Sequence, residues 1–404
     1  MIFAGVDWAE AHHDVCVVSE NGGVLEQRRV GHSVAGIGEL HAVIAAHAGA
    51  GEPVAVGIET GRGLVVTALL AAGYQVDAVN PVASARYRDR HVTSGARSGR
   101  GDATVLADLV RTGRHSHRQV AGDFDLAEAV KVLARSHQSA IWARQRQVHA
   151  LRSALREYYP AALVAFGTGL AAGDAVAVLP LAATPTAGQA LSRAQIAAAL
   201  RHAGRQRNID QKAGEIAAAL HAGYLHTPPA VATAYRPAAR SAARLITAYT
   251  AEIAEPGQAL AEHFEQHPDA KIVRSLPGLG TVLGARVPGE SGDDRTRFAS
   301  PQSRQNYAGP SPITRAPGRS HVVLARHARN RRLAGALGQW AFCSLTQSPG
   351  ARRYHDQLRG RGKTHRQALC QLANRWTGIL HTCLQRGQLD NEHTAWSHPE
   401  AAAA

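Results

Sequence analysis

The opening thirty residues constrain the fold of this chain more than any other stretch. Residues 2–6, 13–19 and 24–30 are short apolar or alternating runs, and Glu20-Asn21-Gly22-Gly23 between the last two is a hairpin signal. Helix and strand signals then alternate. Residues 34–47 put Ile37, Leu40, Ile44 and Ala45 on one helical face, and residues 54–58 form a strand without a polar side chain. Residues 64–72 predict a helix stopped by Gly73, and residues 76–79 a strand ended by Asn80-Pro81. Two further helices flank the loop 93–101. Three strands in hairpin order, then helix, strand, helix, strand and helix, predict an α/β domain over residues 1–120.

The rest of the chain has a different period. From 126 to 158 apolar residues recur every three or four positions (Leu133, Ile141, Val148, Leu151, Leu155), as in one long amphipathic helix closed by Tyr159-Pro160. Ala-rich helical stretches at 193–220 and 237–266 follow, separated by His226-Thr227-Pro228-Pro229. Pro256 inside the second should cost ~3 kcal/mol, so a kink or a restarted helix is expected there. Residues 121–268 therefore predict a helical, coiled-coil arm.

Beyond residue 270 charge takes over. Between 295 and 386 there are 17 Arg or Lys and one acid, Asp356, so the net charge of +14 is largely a local property. Residues 269–390 predict a basic, mainly α C-terminal domain, and 391–404 a tail. Such a field favours a polyanionic partner, DNA or RNA. No apolar run approaches the ~18–20 residues that cross a bilayer, and the N-terminus lacks a basic segment with a small-residue cleavage site. A cytoplasmic, nucleoid-associated protein without a membrane partner is expected. Cys16, Cys343, Cys370 and Cys383 form no CxxC pair, which argues for buried free thiols over a disulfide framework or zinc ribbon.

Three acids stand where a hard cation could be held. Asp7 ends the opening strand, Glu59 follows the strand 54–58, and Asp102 opens the helix after the basic loop 97–101. Converging carboxylates bind Mg²⁺ through oxygen, and such ions activate a nucleophile and stabilise a phosphoryl group in transfer. Taken singly, Asp7 and Glu59 could cap turns and Asp102 could be a helix N-cap. His12 and His13 lie close to Asp7, but in a chain with 22 histidines their nearness carries little weight. Leu276-Pro277-Gly278-Leu279-Gly280 is a turn whose N–H groups could face a phosphate or merely join two helices. Candidate phosphate-binding cations are Arg97 and Arg100 in the first domain, and Arg315, Arg319, Arg326, Arg329, Arg331, Arg332, Arg361 and Lys363 in the last. Tyr307, Trp340 and Tyr354 lie among them, with core packing favoured for Trp340.

These residues together resemble the DEDD transposases of the insertion-sequence 110 family, the bridge-RNA-guided recombinases. The resemblance runs through Gly5-Val6-Asp7-Trp8-Ala9-Glu10, Ile58-Glu59-Thr60, Asn80-Pro81, Arg86-Tyr87-Arg88 and Gly101-Asp102-Ala103. It continues in Leu276-Pro277-Gly278-Leu279-Gly280, Phe298, Tyr307-Ala308-Gly309 and Arg329-Asn330-Arg331-Arg332-Leu333. It implies an RNase H-like (RuvC-like) N-terminal domain, a coiled-coil arm and a C-terminal transposase domain. It also implies a homodimer or homotetramer on a structured guide RNA with donor and target DNA. Four acids would bind Mg²⁺, and a serine would attack DNA to give a phosphoserine ester.

Asp7, Glu59 and Asp102 match the first, second and fourth acids. Gly99 stands where the third belongs, and Pro317, in Arg315-Ala316-Pro317-Gly318, where the serine belongs. Ser320, three residues on, is the candidate substitute nucleophile, although shifting a nucleophile by several ångströms usually breaks in-line geometry. The expectation is a transposase whose strand exchange is impaired, with a catalytically inactive RNA- and DNA-binding regulator as the alternative. Gly5-Val6-Asp7 also resembles the first phosphate loop of actin-like sugar kinases. The later half, however, offers arginines in place of the second Gly-rich loop and its Asp.

Overall fold

Alternation along β1 (Ile2–Trp8) sorts its side chains onto two faces: Ile2, Ala4 and Val6 join one buried cluster and Phe3 the other. In the computed structural model, which describes residues 1–49, 51–91, 97–120, 125–225, 227–315 and 321–397, the chain divides into two compact units, residues 1–123 and 124–404. In the first, β2 (His12–Ser19) pairs antiparallel with β1, and β3 (Val24–Gly31) antiparallel with β2. Helix α1 (Val34–Ala45) starts at Ser33, whose hydroxyl accepts the Gly36 N–H. Strand β4 (Ala55–Ile58) then lies parallel to β1. Helix α2 (Leu64–Ala71) leads to β5 (Gln75–Ala78), parallel to β4. Helices α3 (Pro81–His91) and α4 (Gly99–Gly113) precede a short edge strand, β6 (Arg118–Gln119), antiparallel to β5. The sheet order is β3-β2-β1-β4-β5-β6.

Helices α1 and α2 cover the face that carries Ala4 and Val6, and α4 covers the other. Helix α4 approaches so closely that its path needs two glycines. A Cβ on Gly5 would lie 1.9 Å from the Ala103 carbonyl oxygen, and one on Gly57 2.5 Å from that of Leu106. This mixed sheet with its helices agrees with the α/β domain expected from the alternating signals.

The second unit is mostly helical. Helix α5 (Asp125–Tyr158) is followed by five short helices: α6 (Pro160–Phe166), α7 (Gly173–Val178), α8 (Pro185–Ala190), α9 (Arg193–His202) and α10 (Ile209–His221). Helix α11 (Pro229–Glu265) then packs along α5. Val130 and Ala134 share a cluster with Leu260 and Phe264, while Val148 and Leu151 share another with Ala239 and Ile246, so the two long helices run antiparallel. The first of these clusters is completed by α12 (Ala270–Ser275), α13 (Thr281–Ser291), α14 (Pro301–Ala308), α15 (Arg331–Ser344), α16 (Pro349–Gly360) and α17 (His365–Arg386). The hairpin of β7 (Ile313–Arg315) and β8 (Val322–Leu324) lies between α14 and α15, and α18 (Glu392–Trp396) ends the described chain.

Three local expectations change. The stretch 193–220 is two helices, broken where Gly204 (φ 85°) and Asn208 (φ 52°) adopt left-handed backbone. Helix α11 begins earlier, at Pro229, and runs unbroken through Pro237 and Pro256. The carbonyls those prolines leave without a helical donor belong to Thr233 and Glu252, both exposed, so water can serve them. Helix α4 begins at Gly99 with Ser98 as its cap, which puts Asp102 inside the first turn and not at the N-cap.

Candidate metal centre

The acids of the first unit meet on the α4 face of the sheet. Gly5 faces α4, and Asp7, two residues on, shares that side at the strand's end. Asp14 stands directly opposite Asp7 in the β1–β2 register, and paired residues of an antiparallel ladder share a face. Glu59 follows β4 two residues after Gly57, the other glycine under α4. Asp102 comes from α4 itself, where the positive end of the helix favours a carboxylate.

Their electrostatics mark Asp7 as the centre. Burial pushes its pKa up from 3.8 to about 6, and the charges of Asp102, Glu59 and Asp14 add to the effect; the Arg88 guanidinium opposes it. The neighbours are each partly answered. Asp102 lies 2.6 Å from Arg88 Nη2, yet its buried Oδ1 accepts no hydrogen bond in good geometry. Ser84 donates its hydroxyl to Glu59. Arg29 donates to both oxygens of the buried Asp14, at 3.0 and 2.8 Å. Among the described residues no three Asp, Glu, His or Cys side chains already stand at metal-ligand distances. The donor set still suits a divalent cation: all hard carboxylate oxygens, one of them held neutral to higher pH by burial and by the charges of the rest. Binding would require Arg88 to yield Asp102.

Asp14, Arg88, Ser84 and Arg29 are the site residues that sequence reasoning missed. Asp14 carried a signal, as a charge in the otherwise apolar run 13–19. His13 points away from the acids. It is buried, its Nε2 2.9 Å from His32 Nδ1, and burial and that neighbour hold its pKa below the ordinary value.

The candidate phosphate-binding residues divide in two. Arg97 and Arg100 are exposed beside the start of α4, and Arg315, Arg329, Arg331, Arg361 and Lys363 are exposed in the second unit. Arg326 and Arg332 are half-buried and serve the fold. Arg326 donates to Asn306 Oδ1 and the Ser311 carbonyl. Arg332 donates to the Arg135 carbonyl and Ser139 Oγ and stacks 4.8 Å from the Trp142 ring. Asn330 between them caps α15, accepting from Arg332 and Leu333, and gives its amide to Glu290 at 2.9 Å. Arg319, Pro317 and Ser320 lie outside the described residues.

The Leu276–Gly280 turn is structural, since the Gly278 N–H is taken by Gln347 Oε1 at 2.9 Å and Trp340 donates to the Pro277 carbonyl. Trp340 is fully buried against Trp376, while Tyr307 and Tyr354 are half-buried. All four thiols are free; Cys16 and Cys383 are buried, but Cys370 is exposed, against expectation. No helix among the described residues is long and apolar enough to cross a membrane.

Comparison with known proteins agrees with both halves of the chain. A DEDD transposase family, described as "Transposase", matches residues 4–160, and the "Transposase IS116/IS110/IS902 family" matches residues 270–356. The chain is 42% identical, over all of its length and 98% of the relative's, to the "Mini-circle putative transposase for IS117" of Streptomyces coelicolor. It is 29% identical, again over its whole length and 98% of the relative, to the "Insertion element IS900 uncharacterized 42 kDa protein" of Mycobacterium paratuberculosis. Over 72% of the chain it is 29% identical to the "Insertion element IS110 uncharacterized 43.6 kDa protein" of S. coelicolor.

Proposed function

Because the chain belongs to the IS110 family of transposases, we propose that it binds donor and target DNA on a structured guide RNA, as a homodimer or homotetramer, and that its acid cluster is a Mg²⁺ centre for phosphoryl transfer. The observation that carries this is the gathering of Asp7, Glu59 and Asp102 on one side of the sheet, where burial first, and the charges of Asp102 and Glu59 after it, push Asp7 up to about 6. A bound Mg²⁺ would stabilise charge on the reacting phosphoryl group and lower the pKa of the attacking oxygen. Asp7, Glu59 and Asp102 hold and orient that centre. Ser84 fixes the rotamer of Glu59, and Arg88 occupies Asp102 until the carboxylate is needed. In the second unit the exposed Arg315, Arg329, Arg331, Arg361 and Lys363 meet phosphates, while Arg326 and Arg332 hold the scaffold that presents them.

Strand exchange is impaired in this copy, because Pro317 has no nucleophile and the nearest serine, Ser320, stands three residues further along the sequence, where in-line attack is hard to keep. The test is a recombination assay with Mg²⁺, donor and target DNA and the RNA that co-purifies with the protein. RNA-dependent, salt-sensitive DNA binding with few recombinants and no protein–DNA ester is expected. Robust recombination, with an ester at Ser320 or elsewhere, would overturn the impairment. Binding that survives without any exchange would favour the second reading, a regulator that keeps the nucleic-acid contacts alone; its support is Pro317.

A further inference from the structure

The carboxylate that position 99 lacks has a physical replacement. At the start of α4, a Cβ built on Gly99 would lie 2.0 Å from Asp14 Oδ2 and 3.2 Å from Asp7 Oδ2. No side chain at 99 can share that space with Asp14 as it stands, since real Cβ atoms do not approach another heavy atom so closely. The volume into which an acid at 99 would reach is therefore already filled by a carboxylate oxygen from the neighbouring strand. Asp14 is held there by two constraints: its backbone is locked opposite Asp7 in the β1–β2 ladder, and Arg29, its partner across β2–β3, grips both oxygens. Only 2% of Asp14 is exposed, whereas Arg29 is half exposed, so water can take over the guanidinium when the carboxylate turns to a cation that replaces its charge.

We infer that Asp14 serves as the fourth carboxylate of the Mg²⁺ centre in this chain, the acid having moved from the first turn of α4 to the adjacent strand β2. The inference rests on the metal reading of Asp7, Glu59 and Asp102 given above. The chemistry permits the move: Mg²⁺ selects for oxygen donors and geometry, and is indifferent to which element supplies them. Glycine at 99 is then a requirement of the arrangement rather than a loss, because a side chain there would expel Asp14.

Binding of Mn²⁺ to the full-length protein, followed by electron paramagnetic resonance without nucleic acid, tests this apart from activity. Asp7→Asn should weaken binding strongly, and Asp14→Asn by about tenfold or more. Arg29→Gln, which frees the Asp14 carboxylate, should leave Mn²⁺ affinity unchanged or raised. The transfer variant Asp14→Ala with Gly99→Asp should recover affinity to within about threefold of the parent, because it returns the acid to the α4 position. If Asp14→Asn fails to fold, the transfer variant and Arg29→Gln carry the test. Loss of affinity in Asp7→Asn with parental affinity in Asp14→Asn would overturn the role of Asp14 while leaving the metal centre. Failure of the transfer variant to recover, or weakening by Arg29→Gln equal to that by Asp14→Asn, would make Asp14 a structural ion-pair partner only. Parental affinity in Asp7→Asn as well would sink the metal reading and this inference with it.

Discussion

Replacing Asp7 by Asn should make the metal-free protein more stable at neutral pH. The folded chain holds the Asp7 proton more tightly than the unfolded chain does, with a pKa of about 6 against 3.8. Below about pH 4 both states are protonated and Asp7 costs nothing; between 4 and 6 a penalty builds, and above about 6 it is complete. The full shift would correspond to ~3 kcal/mol for a group shielded from water. Asp7 is only half-buried, and solvent screening reduces this to about 1 kcal/mol. Asparagine keeps the shape and removes the charge that burial, Asp102, Glu59 and Asp14 oppose. Hydrogen exchange at the amides of β1 and α4, corrected for intrinsic rates, should show roughly fivefold greater protection in the variant at about pH 7.5. The difference should vanish at about pH 4. A gain that persists unchanged in acid would mean that packing, not charge, is responsible, and no gain at neutral pH would refute the electrostatic account of the cluster.

Three further outcomes follow from the geometry. Gly5→Ala sets a methyl group against the backbone of Ala103 and Ala107, so it should destabilise the first unit by about 3 kcal/mol in chemical denaturation and displace α4 with Asp102. Glu290→Ala leaves Arg135 and Asn330 without their buried acceptor and should cost about 3–5 kcal/mol, with the loss detected as a lower denaturation midpoint. Arg331→Ala and Lys363→Ala, both at exposed positions, should leave the denaturation midpoint nearly unchanged. Each should shallow the log–log salt dependence of DNA binding by about one unit, whereas Arg332→Ala should lower stability first.

Much of the first unit was legible because a sheet buried on both faces leaves its period in the sequence. Ile2, Ala4 and Val6 against Phe3, Gly5 and Asp7 is the alternation that places Asp7 on the α4 side. Glu59 and Asp102 could be read from a strand end and a helix start. Asp14 could not be read as a partner of Asp7, because that needs the hairpin register across residues 9–11, which no period encodes. Arg88 was hidden for a related reason: its pairing with Asp102 depends on how α3 meets α4. In the second unit the long helices were visible, and α5 ends where Tyr159-Pro160 predicted, but α11 starts before the expected residue 237, at Pro229. Pro256 predicted a kink or a restarted helix; α11 does not restart there, and the exposure of Glu252, which makes that proline tolerable, is a tertiary fact. The turn at 276–280 could be read either way from sequence; its glycine serves contact with the end of α15, where a Cβ on Gly278 would lie 2.7 Å from Ser344 N.

The placement of acids in the second unit explains how so basic a segment both folds and stays available to phosphate. Residues 295–386 contain one acid, so arginines that must be buried there find other compensation. Arg304 packs 4.7 Å from the Phe298 ring, and burial lowers its pKa to about 10. Acids that do enter this core come from outside the segment. Asp269 pairs with Arg295, and Glu392 accepts from Ser348 and the Gly350 N–H. Glu290 pairs with Arg135 of α5; burial works to raise its carboxyl, but the hydrogen bonds from Arg135 and Asn330 outweigh it and hold it below its ordinary value. None of these three carboxylates has Arg331 as its hydrogen-bond partner. The cap of α15 follows the same logic. Aspartate would cap a helix as well as Asn330 does, but it would stand where Asn330 now donates to Glu290 at 2.9 Å, setting two carboxylates against each other and a negative charge beside Arg331. A neutral cap that donates to the buried acid satisfies both groups and leaves the exposed cation without a competing anion at its own helix terminus.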